Sequence, residues 1–340
     1  MAEIIEGLVS TIIPVYNRPK LLSEAVGSVL AQTYRPIEII ISDDGSTDET
    51  PLVGRELAET HPGEIFYIHN KNRGAGPARE AGRRLAKGEF IQYLDSDDRL
   101  LPRKFEIQVK ALREHPECGA AYGCIRFCPE DGPPRPEPYK WSGRELPTLF
   151  PWLLADRWWN TDCPLFRRTV TDAVGPWTDL RYSQDWEYDA RIGALGTRLV
   201  HCKEFVCEQR HHGELRQTGG SKWLPPADRV RFFTLLYQHA LRAGTGLNAP
   251  EMKHFVRWVF FNVRQCGILG DATAARELFS LAVKASGRAT VDMRAYRLLA
   301  GIFGWTSAAR VAEKGRSFIS RTPGQFTRKQ SWMEADAEKP

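Results

Sequence analysis

FIQYLDSDDRLLP (residues 90–102) sets three carboxylates, Asp95, Asp97 and Asp98, directly behind an apolar run. Like charges this close repel one another, so the cluster calls for a partner. A divalent cation, sugar hydroxyls and the start of the next helix all qualify. What surrounds the cluster narrows the choice. Residues 90–94 read as a strand. Behind them, residues 75–86 form a helical segment stopped by Gly88, and residues 65–68 a strand. DDGSTDET (residues 43–50) has the composition of a turn that leads into a helix running to residue 59. Residues 37–42 are nearly all apolar, as a strand covered on both faces should be. Leu22, Ala25, Val26, Val29 and Leu30 recur at helical spacing within residues 19–32, with Pro19 in the first turn. Residues 8–13 are rich in β-branched side chains and end at Pro14.

Strands alternating with helices predict an α/β fold with a mostly parallel, doubly wound, Rossmann-like sheet flanked by helices. In such sheets ligands bind beyond the carboxyl ends of the strands. Pro14–Tyr16, Asp43–Asp44 and Asp95–Asp97 all fall at such ends, so three polar clusters far apart in sequence converge on one edge.

Beyond Pro102 the pattern changes. Residues 103–114 read as a helix, 119–127 as a strand, 129–138 as an exposed proline-rich loop, and 141–159 as irregular and aromatic-rich. Residues 185–195 look helical and 198–207 strand-like. From residue 225 the periodicity is helical throughout, and the last twenty residues are polar. No internal repeat is visible. The expected organisation is an α/β half over residues 1–102, an acceptor-binding half over 103–224, a helical region over 225–322, and a disordered tail over 323–340.

Composition bounds the function classes. With 42% hydrophobic and 26% charged residues, the chain has the balance of a soluble globular protein. The net charge of +5 is mild and its basic residues are dispersed, so no nucleic-acid partner is expected. The N-terminus has no basic, apolar-cored leader, and no apolar run reaches the roughly 18 residues of a membrane span. Seven scattered cysteines, without paired CxxC spacing, read as buried thiols in a reducing cytoplasm.

IPVYN, DDGSTD and LDSDD, in this order and spacing, with NKNRGAGPAR between the last two, resemble the family 2 glycosyltransferases of the GT-A fold. The likeness is closest over residues 8–101 and continues loosely to about residue 218. It implies that Pro14 and Tyr16 line a nucleotide-base pocket and that Asp43 accepts a hydrogen bond from the base. Asn72 and Arg79 would sit near ribose and phosphates. Asp95, with Ser96 beside it, would contact the donor, Asp97 would ligate Mn²⁺ or Mg²⁺, and Asp98 would stand behind. In YSQDWEYDARIG the family's acidic pair is Gln184–Asp185, and Asp185 would be the general base. In QRHHGELRQ, His212 fits a histidine that completes the metal shell, with His211 second. Glu80 stands where the family usually has Asn. Trp186, beside Asp185, and Trp158–Trp159 each read either as a sugar-stacking platform or as core.

The resemblance implies an inverting, metal-dependent glycosyltransferase. It would move a sugar from a nucleotide-diphospho sugar, UDP favoured, to an acceptor hydroxyl of a glycan or lipid-linked molecule in polysaccharide or glycoconjugate synthesis. Two alternatives stay open: a catalytically silent nucleotide-sugar-binding module and a sugar nucleotidyltransferase. The apolar, arginine-studded helices after residue 225 leave open a bundle, a homo-oligomer contact, or a peripheral contact with the inner face of a membrane.

Overall fold

The structure is a computed structural model that describes residues 4–211 and 225–319, with the side chains of 314–319 left aside. The chain divides into two compact units, Met1–Phe255 and Val256–Pro340.

The first unit opens with β1 (Ile5–Val15), α1 (Pro19–Leu30), β2 (Ile37–Asp43), α2 (Thr50–Thr60), β3 (Ile65–His69), α3 (Ala75–Leu85) and β4 (Gly88–Tyr93). Every strand and helix expected up to residue 94 is present. Then come β5 (Arg99–Leu100), α4 (Lys104–Glu114), β6 (Cys118–Cys128), a 3₁₀ turn (Trp152–Leu154), β7 (Leu165–Arg167), α5 (Arg168–Val174), α6 (Gln184–Ala194), β8 (Arg198–Arg210) and α7 (Pro226–Arg242). α8 (Pro250–Ile268) crosses the boundary between the units, and α9 (Ala272–Ala285), α10 (Val291–Phe303) and α11 (Trp305–Ile319) follow.

One eight-stranded sheet runs β3-β2-β1-β4-β7-β6-β8-β5. β3, β2, β1 and β4 are mutually parallel, and β6 is parallel to β8. β7 lies antiparallel between β4 and β6, and β5 pairs antiparallel with β8. The short strands β5 and β7 escape a reading by periodicity, because two or three residues carry no alternation to detect.

The parallel half is buried on both faces. Ile12, Ile13, Ile39, Ile40, Ile41, Phe90 and Ile91 are all 0% exposed, and each such side chain stabilises the fold by about 1.5–3 kcal/mol. α3 lies close on this sheet: a Cβ on Gly82 would stand 2.6 Å from Ile12 Cγ2. Trp158 and Trp159 are 1% and 0% exposed and belong to the core, which decides against a sugar-stacking role. All seven cysteines are free thiols, four of them buried in this unit and one in the second.

α7 packs on α6 through Trp186 and Phe232, whose rings lie 5.9 Å apart. In the second unit Phe260, Phe279, Tyr296 and Trp305 form an aromatic core with ring centroids 5.5–6.3 Å apart. Asp271 caps α9, accepting the Thr273 and Ala274 N–H groups.

Candidate active site

The carboxyl ends of β1, β2 and β4 lie side by side, since Val15 registers with Asp43 and Ile12 with Tyr93. The loops leaving them are stitched together. Ser46 Oγ accepts the Asn17 N–H (2.9 Å), Thr50 Oγ1 the Arg18 N–H (2.9 Å), and Asn17 Oδ1 the Thr47 N–H (2.8 Å). The IPVYN and DDGST segments therefore brace one another.

Asp43 and Asp44 point different ways. Asp43 Oδ1 accepts the Ser46 N–H (2.8 Å), and Oδ2 faces Tyr67 Oη (2.6 Å) and His69 Nδ1 (3.1 Å). Burial pushes the Asp43 carboxyl up, but its bonds from Tyr67, Ser46 and His69 outweigh this and hold it below the usual range. The side chain is 0% exposed, so the groups that face outward above it are His69 and Tyr67. Asp44 accepts the N–H groups of Arg73 (2.8 Å) and Gly74 (2.7 Å) at the approach to α3, so it secures α3 and not the helix that follows it in sequence. Pro14 is buried within β1, while Tyr16 and Asn72 are exposed.

At the tip of β4, Asp95 Oδ1 accepts Arg79 Nη2 at 2.5 Å, and Asp97 Oδ2 lies 2.9 Å from Arg18 Nη1. Arg79 is 4% exposed, and its guanidinium lies 4.8 Å from the Trp177 ring centre. Trp177 in turn stacks on Tyr188 at 3.9 Å. Arg79 Nε and Nη1 are buried and make no hydrogen bond. A buried guanidinium with two idle donors is costly unless something else accepts from it, and a diphosphate would. Ser96, next to Asp95 in sequence, is buried.

Asp98 turns inward, away from the helix that follows Pro102. Asp98 and Asp95 form a three-carboxylate group with Asp162, their ligand atoms all within 4.8 Å of one another. Asp162 also accepts the Asp95 N–H (2.8 Å) and Asn160 Nδ2 (2.6 Å). Burial pushes the Asp98 carboxyl well up, and the charges on Asp162, Asp97 and Asp95 add to it. Burial, then the Asp95 charge, pushes Asp162 up to about 7. Three carboxylates gathered this closely, with Arg79 paired to Asp95 alone among them, offer the oxygen ligands that a hard divalent cation takes. Asp97 sits beside this group on Arg18, not within it.

Across the site, Asp185 stands in the first turn of α6. It does not cap the helix: its Oδ1 accepts only the next residue's N–H, Trp186, at 2.8 Å. Arg157 Nη1 donates to its Oδ2 at 2.7 Å. Burial pushes Asp185 up, but the charges of Arg157, Arg79 and Lys140 hold it below the usual range. Trp186 donates its indole N–H to the Leu153 carbonyl (3.0 Å) and packs on Phe232. Glu80 accepts from Arg83 (2.9 Å) and Arg84 (3.0 Å) and holds α3 internally. Gln184 is buried with its Oε1 unpartnered. His211 is exposed after β8, and His212 lies outside the described residues. Arg18, Arg157, Asp162 and Trp177 escape a reading of the sequence as site residues, since only folding brings them to this edge.

The family model described as Glycosyl transferase family 2 matches residues 10–173. That match covers just under half of the chain. The chain is 37% identical over 134 residues to chondroitin synthase of Escherichia coli, covering 39% of this chain and 19% of that protein. It is 41% identical over 107 residues to an uncharacterized glycosyltransferase of Rickettsia prowazekii, covering 32% of each. It is 35% identical over 108 residues to the minor teichoic acid biosynthesis protein GgaB of Bacillus subtilis, covering 31% of this chain and 12% of that protein. Each match thus spans a third or less of the relative. The fold is that of S. aureus TarS 1–349 solved in complex with UDP-GlcNAc, with a TM-score of 0.66, 16% identity and 91% of both chains covered. The GT-A reading of the fold stands on that match.

Proposed function

We propose that the protein is an inverting glycosyltransferase that moves a sugar from a nucleotide-diphospho sugar to an acceptor hydroxyl. The observation that carries this reading is the unsatisfied guanidinium of Arg79, buried between the Asp95 carboxylate and Trp177. Asp185 takes the proton of the acceptor O–H. The freed oxygen pair forms a bond to the anomeric carbon, and the bond from that carbon to the diphosphate breaks, its electrons leaving with the nucleoside diphosphate. A single displacement inverts the anomeric centre. Arg79 stabilises the charge that grows on the leaving diphosphate. Asp97 and Asp95, with Asp98 and Asp162 behind them and His212 as a further candidate, would hold Mn²⁺ or Mg²⁺. Such a cation would offset diphosphate charge.

UDP is the favoured nucleotide, with Tyr16, Asn72 and the His69–Asp43 pair around the base and ribose. Support comes from the TarS complex, which carries UDP-GlcNAc in the same fold. The relatives named for chondroitin and teichoic acid synthesis support a glycan or glycopolymer acceptor. α10 supports a peripheral contact with an anionic bilayer. Val291, Leu298 and Ile302 form an exposed apolar stripe (74%, 66% and 63%) opposite the buried Met293, Tyr296 and Ala300, with exposed Arg288, Arg294 and Arg297 beside it.

The test is a thermal-shift panel of nucleoside diphosphates and nucleotide sugars with Mn²⁺, followed by donor turnover. A rise in melting temperature with UDP or a UDP-sugar supports donor binding. Binding without any turnover, hydrolysis included, would favour a silent module, and no shift with any nucleotide would overturn the reading.

A further inference from the structure

Asp185 and Asp189 are i, i+4 neighbours, so α6 presents their carboxylates one turn apart on one face. Like charges at that spacing destabilise a helix, and Asp189 is moreover only 3% exposed. Arg157 resolves the conflict. Its Nε donates to Asp189 Oδ2 at 2.6 Å and its Nη1 to Asp185 Oδ2 at 2.7 Å. Trp159 Nε1 donates to the same Asp189 oxygen at 2.9 Å. The Arg157 side chain is 8% exposed, and its carbonyl accepts Lys140 Nζ at 3.0 Å. One buried guanidinium is therefore fastened on one side to a buried acid, and on the other to a carboxylate that is 31% exposed. A fork with two divergent N–H groups suits this bridge, and a single ammonium does not.

We propose that Arg157 is the positioning residue for the reaction's base: anchored on Asp189, it holds the Asp185 carboxylate in one orientation and supplies the positive charge that keeps it ionised. The inference rests on the reading of Asp185 as base. The other charged groups facing Asp185 are Arg79 on α3, Lys140 in the loop after β6, and Asp189 on its own helix. Arg157 acts most strongly among the cations, which together hold Asp185 below the usual carboxylate range. The sign follows. A base of lowered pKa stays unprotonated as the pH falls to its folded value, so activity persists further into acid than it would without Arg157. The cost is a weaker base, offset by having nearly all of it in the proton-accepting form.

The test uses the full chain carrying Arg157→Met together with Asp189→Asn. The pair removes a buried cation and a buried anion at once and leaves neither uncompensated, while an amide oxygen at 189 can still accept from Trp159. The Asp185 carboxyl titration is read by ¹³C NMR, with the resonance identified by its loss in Asp185→Asn. The acid limb of kcat is read alongside. The Asp185 midpoint is expected to rise by about one pH unit or more, and the acid limb to move with it. An unmoved midpoint in a folded double variant overturns the proposal whether or not turnover survives. A midpoint that moves while the acid limb stays shows that Asp185 is not the base, and removes the catalytic part of the proposal. Arg157→Lys serves if the double variant does not fold. It keeps the charge but cannot span both acids, and kcat is expected to fall at least tenfold with donor KM within about twofold; a wild-type kcat overturns the positioning role.

Discussion

Asp43 holds its place through donors on both carboxylate oxygens, and this has consequences at the scale of a single residue. Asp43→Asn turns an amide toward Tyr67 or Ser46 and leaves buried donors unmatched, which should cost about 1–3 kcal/mol in urea unfolding at neutral pH. The folded pKa of Asp43 is lowered, so its contribution is fully present above its unfolded value of roughly 3.9 and is lost as the pH falls through its folded value. The gap between wild type and Asp43→Asn should therefore narrow in acid, and a gap that stays constant down to pH 2 would contradict that role. Catalysis gives the second residue-scale expectation. Asp97→Ala and Asp185→Asn should each abolish transfer, and only Asp97→Ala should also weaken metal-dependent nucleotide binding in a thermal-shift titration. Near-normal turnover in either variant would remove it from the scheme. Residue identities at the strand tips were legible in the sequence because IPVYN, DDGSTD and LDSDD are local signals. Asp162 was not, since it meets Asp98 across 64 positions of chain.

Among the elements, α3 and α1 each carry a glycine, and the two make opposite predictions. A Cβ on Gly76 would stand 2.2 Å from the Thr178 carbonyl oxygen, a backbone atom that cannot swing aside. Gly76→Ala should push the first turn of α3 off its loop, cost about 1–3 kcal/mol, and weaken donor binding by displacing Arg79 one turn on. Gly27 lies inside α1 with nothing within 4 Å of its Cβ position. Gly27→Ala should stabilise the protein by about 0.5–1 kcal/mol. Urea unfolding of both variants checks the pair, and a neutral Gly76→Ala would mean that the loop yields. α6 teaches a different lesson. Its sequence reads as helical from residue 185, but the helix begins at Gln184 after Ser183 in a left-handed turn (φ 58°). Asp185 therefore stands inside the first turn and pairs with Arg157, and periodicity does not resolve a helix start to one or two residues.

For the whole molecule, the helices after residue 225 are the least legible part. Their apolar residues left open a bundle, an oligomer contact and a membrane contact, and Phe232, Phe233, Leu236, Phe255, Val259 and Phe260 are all buried. The exposed apolar stripe falls instead on α10, opposite its buried face. Among the described residues no helix is long and apolar enough to cross a membrane. If the stripe rests on a bilayer, the protein should sediment with phosphatidylglycerol vesicles at low salt and be released by high salt, since basic side chains supply part of the attraction. Leu298→Glu with Ile302→Glu should abolish sedimentation without lowering the melting temperature. Failure of the wild type to sediment would exclude this contact.

The sequence by itself determined the α/β alternation, the parallel sheet, and the edge on which the site forms. Each of these follows from hydrophobic periodicity and turn chemistry, which act over a few residues. Tertiary structure alone decided which cation meets which acid: Arg79 on Asp95, Arg18 on Asp97, and Arg157 between Asp185 and Asp189. Arginines and aspartates abound along the chain, and only the distances imposed by packing choose among their pairings, because the strength of a charge pair depends on separation and burial and not on position in the chain.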